Sequence, residues 1–392
     1  MSKKILYWGP YSGHVGTIKA QINSAYSMVR YGKHRVALVR VHSEFHGYEG
    51  ELAEKNIRLL DLGLSRFFPG LEKSECFARR PYMLVAAIFG FIPFMFALQR
   101  EKPDMVIMNL VVLPVLLACV LSRQKMIKVV SVQGYPQFLG VRGAVVPVWK
   151  RAENRLRKFL WALVYPRADY ILTMTEGTRT KLLENTSLDS SQVRVVNNAV
   201  VDDKVLSGRS SPVPHEWYCK DVPLVVGVGR LTRQKGFDVL VDAMYKLHQL
   251  GLEARLIIVG EGEERDSLQN QIDRTGQAEK IKLVGHQNNP YPFIAHADLF
   301  VLSSRWEDPG HAIIEAAALR VPIVTTDCPS GPSDLVGNGE GGWICENANA
   351  DDMADKIKLA LENPDDGMLA VSAENADQYT LESHFRALEL LF

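Results

Sequence analysis

Short apolar, β-branched runs alternate with stretches of helical period along nearly the whole chain. In the first half the runs are KILYWG, RVALVR, MVIMN, KVVSVQG, YILTMT and VRVVNN; in the second they are PLVVGVG, ARLIIVG, IKLVG, LFVLSS and VPIVTT. A strand buried on both faces reads as a continuous apolar run, and such runs separated by helices predict parallel sheets covered on both sides. The rhythm breaks over Val200–Pro214 (VVDDKVLSGRSSPVP), a polar stretch with Gly, Ser and Pro that reads as a join. The expected fold class is therefore α/β: two doubly wound, Rossmann-like domains facing across a cleft. The first covers 1–200 and the second 201–378, and an amphipathic helix over 379–392 follows, placed to pack back on the first. Ligands of such sheets bind at the carboxyl ends of the strands, so the cleft is the expected active site.

Two apolar stretches call for a membrane test. Tyr82–Leu98 and Met105–Leu121 each have 17 residues and each contains a Pro. Both fall short of the about 20 residues of a spanning helix. Met105–Leu121 fits a buried strand, MVIMN, followed by a helix. Tyr82–Leu98 is apolar all round, which predicts a helix that is deeply buried or lies at an interface.

Composition sharpens this picture in two places. At 392 residues the chain is too long for one core. Its net charge of zero conceals an asymmetry: residues 1–200 carry 28 Lys and Arg against 14 Asp and Glu, and residues 201–392 carry 17 against 31. The basic half suits an anionic membrane surface, or the two halves attract each other; nothing in the pattern points to nucleic acid. Arg142–Lys158, with five cations within nine positions, is the candidate contact, or a plain solvated helix. The five Cys are scattered, which predicts neither a zinc site nor a disulfide framework. MSKKILYWGPYSG lacks a long apolar segment and predicts no leader.

The candidate chemistry lies in the second half. In GVGRLTRQKG, Gly227–Gly236, the strand PLVVGVG ends in Gly229, and Arg230 and Lys235 can reach one anion there, as a planar fork and a point charge. The glycines of GEG, Gly260 and Gly262, and Gly285 after IKLV allow backbone to approach a ligand such as a nucleobase, or mark ordinary turns. In EDPGHAIIEAAALRVPIVTTDCPSGP, Glu307 follows a strand and Pro309-Gly310 open a helix. The amides of Gly310, His311 and Ala312 would be unpaired at its start and suit a phosphate, and Glu315 can accept two ribose hydroxyls.

Together these segments resemble the retaining glycosyltransferases of the GT-B fold, specifically glycosyltransferase family 4, strongly over Val225–Asp334 and loosely over the first half. The resemblance implies that Arg230 and Lys235 hold the diphosphate of a sugar nucleotide, that Glu307 contacts the transferred sugar and that Glu315 binds the ribose. It implies that Gly13 and His14, in the loop after the first strand, line the same cleft. Cys328–Pro332 looks like a stretch of bacterial members that build surface polysaccharides. Many members carry a His near the sugar in the first domain; here that place reads SVQGYP, with Gln133 on the acceptor side. The usual Asn-Gly hinge reads Asn197-Asn198.

The expected activity is a retaining hexosyl transfer, from a UDP- or GDP-sugar to a hydroxyl of a lipid-linked or growing glycan in polysaccharide or lipopolysaccharide synthesis. No carboxylate pair is assigned to a metal, and no cofactor is expected. The expected location is cytoplasmic, peripheral on the inner face of the cytoplasmic membrane. Two alternatives share the pocket: a sugar-nucleotide epimerase or phosphorylase of the same fold, the epimerase consuming donor without acceptor, and a non-catalytic scaffold, binding donor without turnover.

Overall fold

The structure, a computed structural model, describes residues 2–10, 16–41, 44–63, 79–109, 111–133, 155, 159, 161–212, 215–218, 222–329 and 331–392; of 79–88 it describes the backbone alone. By their contacts these divide into two compact units, Met1–Ala199 with Leu381–Phe392, and Val200–Thr380.

The first unit is built on strands β1 (Lys4–Trp8), β2 (Arg35–Arg40), β3 (Arg58–Asp61), β4 (Met105–Met108), β5 (Ile127–Val132), β6 (Tyr170–Thr173) and β7 (Val193–Val195). They form a parallel sheet in the order β3-β2-β1-β4-β5-β6-β7. Both faces are apolar because both are covered. Ile5 and Tyr7 point into one core with Met105, Ile107 and Val129, while Leu6 and Trp8 point into another with Val106, Met108 and Val130. The run Met105–Leu121 resolves into β4 and a helix, Val112–Leu121, and the run Tyr82–Leu98 lies within the helix Arg79–Glu101. Among the described residues no helix is long and apolar enough to cross a membrane.

The second unit carries β8 (Leu224–Val228), β9 (Arg255–Val259), β10 (Ile281–Gly285), β11 (Leu299–Leu302), β12 (Ile323–Thr326) and β13 (Trp343–Cys345), parallel throughout, in the order β10-β9-β8-β11-β12-β13. Each sheet therefore reverses direction once, between β1 and β4 and between β8 and β11. That reversal opens a crevice at the carboxyl ends of the two central strands, where doubly wound sheets take their ligands.

The helix Leu381–Glu389 belongs to the first unit, against the helix Gly16–Arg30. Its fully buried His384 is hydrogen-bonded on both sides, Nδ1 to the carbonyl of Asn197 at 2.6 Å and Nε2 to Ser24 Oγ at 2.7 Å. Ser24 Oγ lies 2.9 Å from the Tyr7 hydroxyl. Burial pushes the His384 imidazole down to about 4, against the carbonyl's opposing pull, so it is neutral at pH 7.

Candidate active site

The β8–β11 switch point gathers most of the charged candidates. Gly229 and Arg230 follow β8 directly, and the chain then makes a short helical turn, Arg233–Lys235, before the helix Phe237–Gln249. Ser303 follows β11 directly, and Glu307 comes four residues later. Lys235 Nζ forms an ion pair with Glu307 Oε1, and Ser304 Oγ donates to the same oxygen at 2.8 Å. Glu307 is buried, whereas the Arg230 side chain is exposed and makes no hydrogen bond or ion pair among the described residues. The two cations thus differ: Lys235 is held in place, and Arg230 is available to an incoming anion.

The two loops are fastened to each other by the backbone and its neighbours. Ser303 Oγ donates to the Lys235 carbonyl at 2.8 Å, the Arg305 amide donates to the Gln234 carbonyl at 2.8 Å, and Gln234 Nε2 donates to the Trp306 carbonyl at 3.0 Å. Arg305 is in turn clamped by both carboxylate oxygens of Asp238, at 2.8 and 2.6 Å. Burial works to raise the Asp238 carboxyl, but the Arg305 hydrogen bonds and charge outweigh it and leave it below its ordinary value. Such a scaffold fixes a charged pair before any ligand arrives, so little reorganisation is needed at the moment of reaction.

Two glycines explain why the loops can approach this closely. Gly236 has φ +63°, and a Cβ there would stand 2.1 Å from the Ser303 carbonyl oxygen. Gly260 has φ +150°, and a Cβ there would stand 1.8 Å from the Gly229 carbonyl oxygen. The close approach that Gly260 allows is thus to neighbouring backbone. Gly262 lies likewise against Leu231, and the amide of Gly260 donates to the carbonyl of Gly285 at 2.9 Å. These three glycines hold the β8, β9 and β10 ends together at the rim of the crevice.

Gly310 precedes the helix His311–Ala318, which is stationed beyond Glu307. The helix dipole presents positive charge at this start, where the amides of His311 and Ala312 lie. Glu315 sits in the second turn, buried. Cys328, near Glu307 and Lys235, is not poised as a nucleophile: burial above all, with Glu307 adding to it, pushes its thiol up to about 11.

Gln133 is in the first unit, at the end of β5. Its Nε2 donates to Ser131 Oγ at 2.7 Å, and its Oε1 accepts from Asn198 Nδ2 at 3.1 Å. These residues line, with Asn109 and His384, a cavity of about 10 Å³, space for one water and not for a sugar. Gly13 and His14 lie outside the described residues, as does the stretch 142–158 apart from Arg155. Among the described residues no group of three His, Cys, Asp or Glu converges as metal ligands would. Sequence reasoning did not single out Ser303, Ser304, Arg305 or Asp238. The Ser-Ser pair directly after LFVL is the one local signal that points to them.

Residues 219–379 match the model of the family described as glycosyl transferases group 1. The chain is 31% identical over 208 residues to the N-acetylgalactosamine-N,N'-diacetylbacillosaminyl-diphospho-undecaprenol 4-alpha-N-acetylgalactosaminyltransferase of Campylobacter jejuni, covering 53% of this chain and 55% of that protein. It spans about half the length of the curated relatives it matches. A glycosyltransferase of Rickettsia africae superposes with a TM-score of 0.76 at 17% identity, over 100% of this chain and 98% of that one. Anabaena HepE, crystallised with UDP and glucose, superposes with a TM-score of 0.71 at 16% identity, over 99% of this chain and 98% of that one. The fold is that of the GT-B glycosyltransferases, two domains each with a parallel sheet and interleaved helices.

Proposed function

We propose that the protein transfers a sugar from a nucleoside diphosphate sugar, UDP- or GDP-linked, to a hydroxyl of a lipid-linked or growing glycan, with retention of anomeric configuration and without a metal. The observation that carries the reading is the Lys235–Glu307 pair, part-buried and fastened at the β8–β11 switch point, with the exposed Arg230 in the same loop as Lys235. A diphosphate arriving there meets Arg230, Lys235 and the amides at the start of His311–Ala318, which together offset the negative charge that grows on it as its bond to the anomeric carbon breaks. Glu307 would pass from Lys235 to the hydroxyls of the transferred sugar, and Glu315 would take the ribose. The acceptor oxygen attacks the anomeric carbon from the face the diphosphate leaves, and its proton goes to the departing phosphate oxygen. No side chain of this site is assigned as a covalent nucleophile.

The Anabaena structure, by its name, holds UDP and glucose, and the Campylobacter relative, by its name, acts on a diphospho-undecaprenol glycan. The first supports a nucleotide-sugar donor and the second an acceptor borne on a polyprenyl diphosphate. The protein would then work in the cytoplasm, at the inner face of the membrane. The test is a thermal-shift screen of UDP-, GDP-, ADP- and dTDP-sugars, followed by transfer to a polyprenyl-diphosphate glycan with the product anomer read by NMR and EDTA in a parallel reaction. One donor should raise the melting temperature by mass action and yield the retained anomer with or without EDTA. Donor turnover with no acceptor would make it an epimerase; binding with neither transfer nor hydrolysis would make it a scaffold.

A further inference from the structure

The helices Arg79–Glu101 and Val112–Leu121 contact each other and cover one face of the first unit's sheet. Their inner sides are core: Phe94, Leu98, Val115, Leu116 and Cys119 are buried with Leu6, Trp8, Val106 and Met108. Their outer sides are apolar as well. On the first helix Ile92 and Phe96 are 64% and 68% exposed, and Phe89 is exposed on the same stripe, at i, i+3 and i+7. Leu117 and Leu121 are exposed one turn apart on the second. Isolated surface hydrophobes are ordinary, but one layer whose adjacent helices both turn large apolar side chains outward marks an interaction site.

The charge around this face selects the partner. Between residues 89 and 125 the chain carries Arg100, Lys102, Arg123 and Lys125 against Glu101 and Asp104. Glu101 is already paired with Arg58 and Arg100. Arg123 and Lys125 are exposed directly after the second helix, and Arg100 ends the apolar stripe of the first. A second copy would bring like charge against like charge. An anionic bilayer offers both an apolar layer and phosphates above it.

We propose that the outer side of these two helices is the surface on which the protein docks to an anionic lipid bilayer, with Phe89, Ile92, Phe96, Leu117 and Leu121 entering the boundary between headgroups and acyl chains and Arg100, Arg123 and Lys125 meeting lipid phosphates. The proposal rests on the reading of the acceptor as membrane-borne, and it differs from the basic stretch 142–158 in predicting a salt-resistant component.

The experiment is co-sedimentation with vesicles of equal parts phosphatidylglycerol and phosphatidylcholine, and with phosphatidylcholine alone, at low and high salt. Wild-type protein should bind the mixed vesicles, be released from them in part by salt, and bind phosphatidylcholine more weakly. Ile92→Ser with Phe96→Ser should lower partitioning about tenfold or more at either salt, the effect of withdrawing two apolar anchors. Arg123→Glu with Lys125→Glu should lower binding to mixed vesicles alone and flatten the salt dependence. Melting temperature and the thermal shift with soluble sugar nucleotide report folding and the donor site independently, and both should match wild type. If wild type binds mixed vesicles and both variants bind equally well, this face is not the contact, while the membrane reading stands. If wild type binds neither vesicle, the membrane reading falls with the face. A wild-type dimer that Ile92→Ser with Phe96→Ser splits into monomers would make the face a self-interface and overturn the proposal.

Discussion

Replacing Lys235 by Met separates the charge of this residue from its packing. The aliphatic stem lies over Gly229, where an added Cβ would stand 3.0 Å from Lys235 Cε, so Met keeps that contact and deletes the ammonium. Glu307, its side chain 7% exposed, is then left with the Ser304 hydroxyl in place of a cation. Breaking a fully buried pair costs about 3–5 kcal/mol, and the 15% exposure of Lys235 admits enough water to bring the expected loss to about 2–3 kcal/mol. For a domain of this size that lowers Tm by about 5–10 °C. Transfer should fall as well, with kcat down about 10²-fold, the scale for removing one preformed charge contact to a leaving group. Adding Glu307→Gln to Lys235→Met removes the stranded carboxylate, so Tm should return to within about 2 °C of wild type while transfer stays lost. Calorimetry of the four proteins without donor, beside their transfer kinetics, measures the cycle. The reasoning fails if Lys235→Met melts with wild type, or if the two substitutions lower Tm additively.

The other expectations are simpler to state. Glu315→Ala should weaken binding of donor and of free nucleoside diphosphate together, whereas Glu307→Ala should cut turnover and spare nucleoside diphosphate affinity; calorimetric titration showing equal nucleotide loss in both would refute the division between ribose and sugar. His384 has its folded value lowered to about 4 against about 6.5 unfolded, so between these the unfolded chain binds the extra proton. Its contribution, up to about 3 kcal/mol, is present above pH 6.5 and lost as pH falls toward 4. Tm should therefore drop more steeply between pH 7 and pH 4.5 in wild type than in His384→Gln; parallel curves would show that the imidazole is not kept neutral by folding.

Strands with long β-branched runs were legible because burial on both faces writes them as unbroken apolar text. KILYWG, RVALVR and MVIMN became β1, β2 and β4, and PLVVGVG through VPIVTT became β8 to β12. Two strands left no such mark. β3 (RLLD) keeps a charge at either end, and β13 (WIC) is three residues long. Both lie toward sheet edges, where less of a strand is enclosed. At the site, Arg230, Lys235 and Glu307 were visible as charges beside glycine turns. The clamp that holds them was not, because Ser303 and Arg305 act through backbone carbonyls of Lys235 and Gln234, about seventy residues earlier. Spacing along the chain carries no trace of a partner that only the sheet order supplies.

The chain leaves the first unit at Ala199 and re-enters it at Leu381. In a growing polypeptide that interruption becomes a delay. The helix Gly16–Arg30 is made early, yet the groove for Leu388 and Leu391, and the hydrogen bonds of His384 with Ser24 and the Asn197 carbonyl, stay unmade until residues 200–380 have been translated. At 5–20 residues per second that gap lasts on the order of 10–40 s. At its end the second unit has every segment it needs to fold, and the first does not. The part of the protein that starts at the N-terminus is thus the part completed last, and a nascent chain halted near residue 380 would carry a finished second unit behind a first one with an open apolar seam.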